Sequence, residues 1–292
     1  MNAAGRRIVV TGGNSGIGLE AVRQLAEKGA EVVLACRDRS KGEAAARGLS
    51  GAISVRTLDL ADLASVRAFA ASFDGERVDV LINNAGVMAV PRGETKDGFE
   101  RQIGTNHLGH FALTALLWPR LREREGARVV TVSSSAHKMG RIDFDDLHGR
   151  AGYSAWRAYG QSKLANLLFA FELARKISAA GLRARSVACH PGYAATNLQL
   201  VGPQETGSKL GGWLMRTGNA LIAQPAEAGA WPTVFAATAA SVENGAYIGP
   251  GGMFELGGKP KVVQATRAAQ DQEVARRLWE VSERETGVTF SV

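Results

Sequence analysis

A glycine-rich turn between an apolar strand and a helix is the feature that most constrains the fold of this chain. The stretch Arg7–Thr11 reads as a buried strand, and the run Thr11-Gly12-Gly13-Asn14-Ser15-Gly16-Ile17-Gly18 follows at once. Gly12 permits a sharp exit from the strand, Gly16 lets the backbone approach a phosphate, and Gly18 lets the helix pack closely on the sheet. Open N–H groups and the positive dipole of the helix N-terminus then favour phosphate binding.

The same alternation of short apolar strands and helices continues along the chain. The predicted strands are Arg7–Thr11, Glu31–Ala35, Ile53–Thr57, Val78–Ile82, Arg128–Val132, Leu182–Ala188 and Tyr247–Ile248. The main predicted helices are Ile17–Lys28, Leu63–Phe73, Phe99–Arg122, Ser154–Ala179 and Asp271–Glu285. Strands separated by helices pair in parallel, with helices on both faces. The sequence therefore predicts α/β architecture, with residues 1–292 as a single doubly wound Rossmann-type domain of about seven parallel strands.

One segment, at about residues 198–222, departs from this composition. It holds several glycines among large apolar residues, namely Leu210, Trp213, Leu214, Met215, Leu221 and Ile222. Such a glycine-rich but apolar stretch is typical of a mobile flap, so we expect a substrate lid. An ordinary packed surface helix is the alternative interpretation.

Charge, hydropathy and cysteine usage exclude several classes of function. The net charge is +7, but the basic residues are interleaved with acids and form no stripe with stacking aromatics, so we expect no nucleic-acid binding. No window approaches about 18 unbroken apolar residues, and the N-terminus lacks the apolar core of a signal peptide. Cys36 and Cys189 lie far apart at strand ends, which fits a reduced, cytoplasmic protein. The histidines show no metal-binding spacing, so no metal site is predicted.

Tyr159 and Lys163 supply groups that can act in acid–base chemistry. Their i, i+4 spacing puts both side chains on one face of the predicted helix. A phenol titrates near pH ~10 when unperturbed, and a neighbouring ammonium favours its ionised form. Bringing the pKa of Tyr159 to near neutrality requires roughly 3 pKa units, or about 4 kcal/mol. Such a tyrosine can give a proton to a carbonyl oxygen or take one back at working pH.

Four motifs, in order and spanning nearly the whole chain, resemble those of the short-chain dehydrogenase/reductase family. They are Thr11-Gly12…Gly16-Ile17-Gly18, Asn83-Asn84-Ala85-Gly86, Ser133-Ser134-Ser135 followed by Tyr159 and Lys163, and Pro191-Gly192…Thr196. Within the family the chain looks most like the retinol dehydrogenase branch. That likeness lies in Cys36-Arg37-Asp38, Asn106-His107-Leu108-Gly109-His110-Phe111 and Ser162-Lys163-Leu164-Ala165-Asn166.

The resemblance implies a role for each candidate catalytic residue. Tyr159 donates the proton in the reducing direction, and Lys163 lowers its pKa and binds the nicotinamide ribose. Ser134 polarises the carbonyl, because developing alkoxide charge needs a preset donor; only one parity of the serine run points into the site, so a slip by one residue is the alternative. Asn106 matches an asparagine that holds a water in the proton relay, or else is a satisfied core amide.

The second strand indicates which nicotinamide cofactor is bound. An NAD site usually has an acid about 20 residues beyond the glycine turn. Here Cys36 occupies that place and Arg37 follows, and a guanidinium suits a 2′-phosphate, so NADP(H) is predicted rather than NAD(H). By resemblance Asp59 and Leu60 border the adenine, and Asn83 either flanks the nicotinamide or stabilises the sheet. The full predicted cofactor set is Gly12, Asn14, Ser15, Gly16, Ile17, Gly18, Arg37, Asp59, Leu60, Asn83, Ala85, Gly86, Tyr159, Lys163, Pro191, Gly192 and Thr196.

Together these features predict an NADP(H)-dependent oxidoreductase that interconverts a carbonyl and an alcohol on an apolar small molecule. The alternatives are a carbon–carbon double-bond reductase with the same Tyr–Lys pair, and a catalytically silent NADP(H)-binding sensor or scaffold. A sugar-nucleotide epimerase is disfavoured by the glycine spacing. The two long helices pack between subunits in many relatives, so a homodimer or homotetramer is expected.

Overall fold

The structure, a computed structural model that describes residues 3–122, 124–192 and 225–292, is built on one β-sheet. Within these residues the strand order is β3-β2-β1-β4-β5-β6-β7-β8. Strands β1 to β7 are parallel, and β8 is antiparallel to β7. This confirms the predicted α/β fold and adds an antiparallel edge strand. The strands are β1 (Arg7–Thr11), β2 (Glu31–Cys36), β3 (Ala52–Thr57), β4 (Val80–Asn83), β5 (Arg128–Val132), β6 (Arg185–Cys189), β7 (Tyr247–Pro250) and β8 (Pro260–Val262).

The central strands are apolar on both faces because both faces are covered. Alternate residues of a strand point to opposite sides of the sheet. In β1, Val9 joins one hydrophobic cluster, whereas Ile8 and Val10 join the other, and all three are fully buried. Helices on both faces therefore explain why β1, β4 and β5 read as continuous apolar runs rather than alternating ones.

Helices cover the two faces in separate layers. One layer includes α1 and α7, and the opposite layer includes α3, α5, α6 and α8. The described helices are α1 (Gly16–Glu27), α2 (Arg39–Ala46), α3 (Leu63–Ala71), α4 (Arg101–Ile103), α5 (Gly109–Leu121), α6 (Ala155–Ala179), α7 (Ala226–Thr238) and α8 (Gln272–Thr286).

The predicted helix Phe99–Arg122 is interrupted by a π-helical turn. Glu100 caps α4, because its side chain accepts from the backbone N–H groups of Gln102 and Ile103. The π turn Gly104–Leu108 then leads into α5. Gly109 lies so close to the third βα loop that an added Cβ would be 2.4 Å from the Leu60 carbonyl oxygen. Close approach of the helix to the carboxyl ends of the strands therefore depends on this glycine.

The C-terminal helix α8 closes one face of the molecule. Asp271 caps it by accepting from two backbone N–H groups, close to the predicted start. Trp279 on α8 lies 5.2 Å from Phe111 and 4.7 Å from Phe290, measured between ring centroids. Contacts of this kind add to the free energy of burying the rings, so the helix caps the fold over α5 and α6.

Several boundaries differ from those predicted. Strand β4 begins two residues later than Val78, and β6 begins at Arg185 rather than Leu182, because the preceding residues still form the turn. The predicted lid at 198–222 lies outside the described residues, and a single domain over 1–292 stays a prediction. None of the helices in the described residues is long and apolar enough to cross a membrane.

Candidate active site

A cavity of about 690 Å³ opens at the carboxyl ends of the parallel strands. It lies over the point where the strand order reverses between β1 and β4, which is where open α/β sheets bind ligands. The turns after β1 to β6 all contribute to its wall. The lining includes residues 11–12, 14–18, 35–38, 58–61, 84–88, 132–136 and 191–192 together with Lys41, Arg101, Thr105, Met139, Trp156, Tyr159 and Lys163.

The glycine turn after β1 forms one end of this cavity. Gly12 and Gly16 have φ values of 65° and 53°, a conformation that side-chain-bearing residues rarely adopt. A Cβ on Gly18 would lie 2.2 Å from the Gly12 carbonyl oxygen. Ser15 is the N-cap residue of α1 but makes no side-chain capping hydrogen bond, so the first N–H groups of this 12-residue helix stay open for an anion. The turn therefore fits a dinucleotide phosphate.

A buried hydrogen-bond network joins this turn to the loop after β4. The Thr11 hydroxyl accepts from the backbone N–H groups of Asn84 and Ala85, each at 2.9 Å, and lies 2.9 Å from His110 Nε2. Nδ1 of His110 faces the Asn106 carbonyl at 3.0 Å and must donate to it, so Nε2 accepts from Thr11. Burial lowers the pKa of His110 to about 4, which keeps this ring neutral.

Two exposed cations stand at the end of β2. Arg37 and Lys41 both line the cavity. Asp38, which follows Arg37 directly, is engaged elsewhere: its carboxylate accepts from Ser40 Oγ at 2.6 Å and Lys41 N at 3.1 Å, and lies 3.7 Å from Lys41 Nζ. Among the described residues no ion pair is formed by Arg37, which leaves its guanidinium available to an anion.

Asp59 and Leu60 line the next part of the wall. The Asp59 carboxylate accepts from Ala61 N at 2.9 Å, and its own backbone N–H donates to Ser65 Oγ at 3.0 Å. These contacts fix the turn after β3 and leave an apolar residue, Leu60, against the start of α5.

Ser134 and Tyr159 meet at the other end of the cavity. Both side chains line the cavity, and Ser134 Oγ, which interacts with the phenol, also accepts from Ala136 N at 3.2 Å. The neighbouring Ser133 turns its hydroxyl away and donates to the Lys163 carbonyl at 2.8 Å. Strand alternation therefore presents Ser134 rather than Ser133 to the phenol, Ser135 lines the cavity as well, and the catalytic role of Ser134 stays a prediction.

Lys163 lies behind the phenol, with its ammonium 5.7 Å from the centroid of the Tyr159 ring. Burial lowers the pKa of Lys163 to about 8 and raises the pKa of Tyr159 to about 12, the hydrogen bond with Ser134 opposing the latter rise. Burial is thus the largest influence on the pKa of Tyr159 in this structure, and the expectation that Lys163 lowers that pKa stays a prediction.

Two predicted asparagines lie outside the cavity wall. Asn106 is fully buried; its side chain donates to the Val87 carbonyl and Ser162 Oγ, each at 2.9 Å, and accepts from Val87 N at 2.8 Å. Its amide is thus a satisfied core group, and a water-holding role stays a prediction. Asn83 is also buried and donates to Thr114 Oγ1 at 3.0 Å, which fits its sheet-stabilising alternative.

Pro191 and Gly192 line the cavity after β6, whereas the predicted Thr196 lies outside the described residues. Gly192 has a φ of 72°, and its N–H donates to His190 Nδ1 at 3.2 Å. His190 thereby shapes this loop. Within the described residues, no three His, Cys, Asp or Glu side chains form a group that could hold a metal ion.

Comparison with known proteins identifies the family. The short chain dehydrogenase family matches residues 6–205, about two thirds of the chain. The chain belongs to the short-chain dehydrogenases. It is 42% identical to human retinol dehydrogenase 13 over 97% of this chain and 85% of that protein. It is likewise 42% identical to mouse polyprenol dehydrogenase over 97% of this chain and 84% of the relative.

Similar solved structures agree with this assignment. An uncharacterized protein from Mycobacterium paratuberculosis has 48% identity and a TM-score of 0.83, covering 100% of this chain and 97% of its own. An NADP complex of RhlG from Pseudomonas aeruginosa has 25% identity and a TM-score of 0.65, covering 84% and 94%. As a short-chain dehydrogenase with retinol dehydrogenase relatives, the chain is an oxidoreductase for alcohol and carbonyl groups that uses a nicotinamide cofactor.

Some lining residues of this short-chain dehydrogenase were not predicted. Trp156 lies three residues before Tyr159 on α6, and their rings meet edge to face at 6.2 Å; the i, i+3 spacing was a usable signal. Asn84 lines the wall where Asn83 does not, and its amide donates to the Thr11 carbonyl at 2.8 Å. Lys41 and Met139 carried no sequence signal, because their positions depend on how α2 and the turn after β5 fold.

Proposed function

We propose that this short-chain dehydrogenase uses NADP(H) to interconvert a carbonyl and an alcohol on an apolar small molecule, with Tyr159 as the acid and base. One observation carries the proposal. The interacting hydroxyls of Ser134 and Tyr159 line the same cavity as the glycine turn and the open N-terminus of α1.

The two hydroxyls form a pair of donors for one oxygen atom. In the reducing direction Ser134 polarises the carbonyl oxygen, and Tyr159 transfers its proton to that oxygen. The bound nicotinamide supplies the hydride to the carbonyl carbon. Lys163, mostly protonated near neutral pH with a pKa of about 8, then stabilises the tyrosinate that is left. In the oxidising direction Tyr159 takes the proton back.

The preference for NADP(H) is supported by the charges at the end of β2. Arg37 and Lys41 line the cavity, and the carboxylate of Asp38 is held at the N-terminus of α2. A guanidinium and an ammonium at this corner suit a ribose 2′-phosphate. The Asp38 carboxylate lines the same corner, but it already accepts from Ser40 Oγ and Lys41 N.

The Arg37→Ala variant tests this preference. Loss of a charge-assisted hydrogen bond predicts about a tenfold or greater rise in KM for NADPH, with little change for NADH. Arg39→Ala is the matched control, because Arg39 is exposed, pairs with Glu43 at 2.8 Å and does not line the cavity. Equal effects of the two variants, or an unchanged KM for NADPH, would remove Arg37 from cofactor choice.

An apolar substrate is supported by the wall beside Tyr159. Met139, Trp156, Val87 and Met88 all line the cavity there. Such side chains bind apolar surface and fix few polar groups, which suits lipid-like or aromatic aldehydes, ketones and alcohols. The retinol and polyprenol dehydrogenases named above, by their names, act on compounds of this type.

The decisive experiment is a substrate screen read by nicotinamide absorbance. Aldehydes, ketones and alcohols of increasing chain length are offered with NADPH or NADP⁺, and activated double bonds are included. Tyr159→Phe is expected to bind NADP(H) as before and to lose most turnover. If the protein binds NADP(H) and turns over none of these compounds, the result would support the alternative of a catalytically silent sensor. Reduction of double bonds alone would support the alternative of a carbon–carbon double-bond reductase.

A further inference from the structure

The tip of the β7–β8 hairpin, residues 252–257, exposes large apolar side chains to solvent. Met253 is 78% exposed and Phe254 is 82% exposed, the highest values among large hydrophobic residues of the described ranges. Leu256 at 41% and Val262 on β8 at 64% extend the same surface. A cluster of this kind costs free energy in water and marks a site of association.

The hairpin tip has a defined conformation. Phe254 and Glu255 have φ values of 53° and 58°, each at a cost of order 1 kcal/mol for a residue with a side chain. Backbone bonds from Gly251 N to the Lys259 carbonyl at 2.7 Å and from Gly252 N to the Gly257 carbonyl at 2.8 Å close the hairpin. The tip therefore holds Phe254 outward.

Side-chain contacts tie the tip to the body of the protein. The Glu255 carboxylate lies 3.1 Å from Nε2 of the buried His190 and 4.0 Å from Lys138 Nζ. The hairpin is thus anchored through its one acidic residue, while Met253 and Phe254 are largely exposed.

The same tip stands beside the mouth of the active-site cavity. Gly192 lines the cavity, and a Cβ added to it would lie 2.7 Å from the Leu256 carbonyl oxygen. Met139 and Trp156 also line the cavity and remain 60% and 45% exposed, so they mark its opening. Lys138, which pairs with Glu255, directly precedes Met139. The apolar tip and the cavity mouth therefore lie next to each other.

The charges around the tip favour one kind of partner. Lys138, Lys259 and Lys261 are exposed around it, whereas Glu255 is already paired. Exposed aromatic and methionine side chains bordered by lysines match the interface of an anionic bilayer, where each lysine contributes about 1 kcal/mol. Pairing of two copies along the edge strand β8 would bring their lysines together, which is unfavourable.

We propose that the hairpin tip docks on an anionic lipid surface and holds the cavity mouth against it. Met253 and Phe254 enter the headgroup region, and the lysines contact lipid phosphates. The benefit for catalysis rests on the proposed function, because an apolar substrate would then pass from the bilayer to Tyr159 without crossing water. The docking itself does not depend on turnover.

Vesicle co-sedimentation of the full chain tests the proposal. Phosphatidylcholine vesicles are compared with vesicles that also contain phosphatidylserine, each with and without NADP(H). The wild-type chain is expected to bind the anionic vesicles, and the double variant Met253→Ser/Phe254→Ser to bind them at least tenfold more weakly. Lys259→Gln/Lys261→Gln is expected to lose the preference for anionic vesicles.

Trp231→Ser is the matched control, because Trp231 is also exposed, at 39%, but lies on α7 and does not line the cavity. Thermal midpoints of all variants are measured so that a folding defect is recognised. Failure of the wild type to bind either vesicle, or equal loss in the Trp231 variant, overturns the proposal.

Two further outcomes would give the hairpin tip a role other than lipid docking. If the Met253/Phe254 variant abolishes a concentration-dependent dimer without affecting vesicles, the occupant is a second copy. If it alters turnover of a water-soluble substrate in the absence of vesicles and leaves vesicle binding unchanged, the tip serves the cavity and the docking proposal fails. Vesicle binding with no turnover of any carbonyl or alcohol would leave docking standing and sink the proposed function.

Discussion

Replacing Thr11 by valine would test whether one buried hydroxyl holds the cavity wall together. The hydroxyl accepts from two backbone N–H groups, those of Asn84 and Ala85, and donates to His110. Valine keeps the shape of threonine but removes the oxygen. The variant therefore leaves the Ala85 N–H and the imidazole nitrogen without their partner at the switch point of the sheet, whereas the Asn84 N–H keeps its bond to the Ile82 carbonyl at 3.0 Å.

The expected cost follows from these orphaned groups. An unsatisfied buried polar group costs about 1–3 kcal/mol. Because the loop after β4 can relax toward the cavity, we expect Thr11→Val to lower the free energy of unfolding by about 3 kcal/mol. The same change should weaken NADP(H) binding, since Ala85 and Gly86 belong to the cavity wall.

Thr131→Val is the matched control for this experiment. Thr131 lies on β5, is fully buried like Thr11, and its hydroxyl has no hydrogen-bond partner within the described residues. Valine there removes an unpaired polar group, so stability should be unchanged or raised. Urea unfolding followed by circular dichroism measures both variants; a difference of less than about 1 kcal/mol between them would refute the account of the Thr11 network.

Two other variations probe the packing and the buried histidines. Gly18→Ala should lower the free energy of unfolding by about 2 kcal/mol or more and abolish NADP(H) binding, because the added Cβ would lie 2.2 Å from the Gly12 carbonyl oxygen. Gly48→Ala is the control: no atom lies within 4 Å of its added Cβ, so its thermal unfolding should be unchanged. Burial lowers the pKa of His107 to about 3 and that of His110 to about 4, so the stability of the neutral rings is present above pH 6.5 and is lost as pH falls below it. Between pH 7 and pH 5 the free energy of unfolding should fall by about 2 kcal/mol for each of these histidines, and His107→Gln should remove the contribution of His107, about 2 kcal/mol. An unchanged urea midpoint at pH 5 would contradict the assignment.

The sequence could predict the sheet because its signals are local. Strands buried on both faces are mostly apolar, and this leaves a visible run, as at residues 8–10 of β1 and 129–130 of β5. Strand β8 left none, because its three residues pair at the sheet edge and two of them are exposed. Helix α2 buries only Gly42, so it has no apolar pattern, and no helix was predicted from its Asp38 cap.

The candidate site was predictable where residues directly follow strands. The carboxyl ends of parallel strands meet at one edge, so the turns at Gly12, Arg37, Asn84 and Ser134 had to converge once the strands were known. The orientation of individual side chains was not predictable from this rule. Side chains alternate between the two faces of a strand, so an error of one residue in the predicted strand end exchanges the orientations expected for Asn83 and Asn84.

The predicted subunit interface rests on resemblance and stays a prediction. Within the described residues, α5 presents no large hydrophobic side chain classed as exposed, and α6 presents only Trp156. Helix α8 accounts for this, since it packs against both helices through Trp279. An assembly through this face would therefore have to use α8 or polar contacts. Shortening the chain before α8 would expose the core, so light scattering of such a chain would not test this interface.

The protonation of Tyr159 limits what Lys163 can do in catalysis. With a pKa of about 12, the phenol is neutral at rest, and ionising it at pH 7 would require about 7 kcal/mol. The Lys163 ammonium, 5.7 Å from the centroid of the ring, favours the ionised phenol, but burial of the phenol has the largest effect on its pKa. The phenol therefore rests in its neutral form. Proton transfer must be drawn by the charge that develops on the carbonyl oxygen beside Ser134, so the form of Tyr159 that dominates at neutral pH is the one that serves reduction.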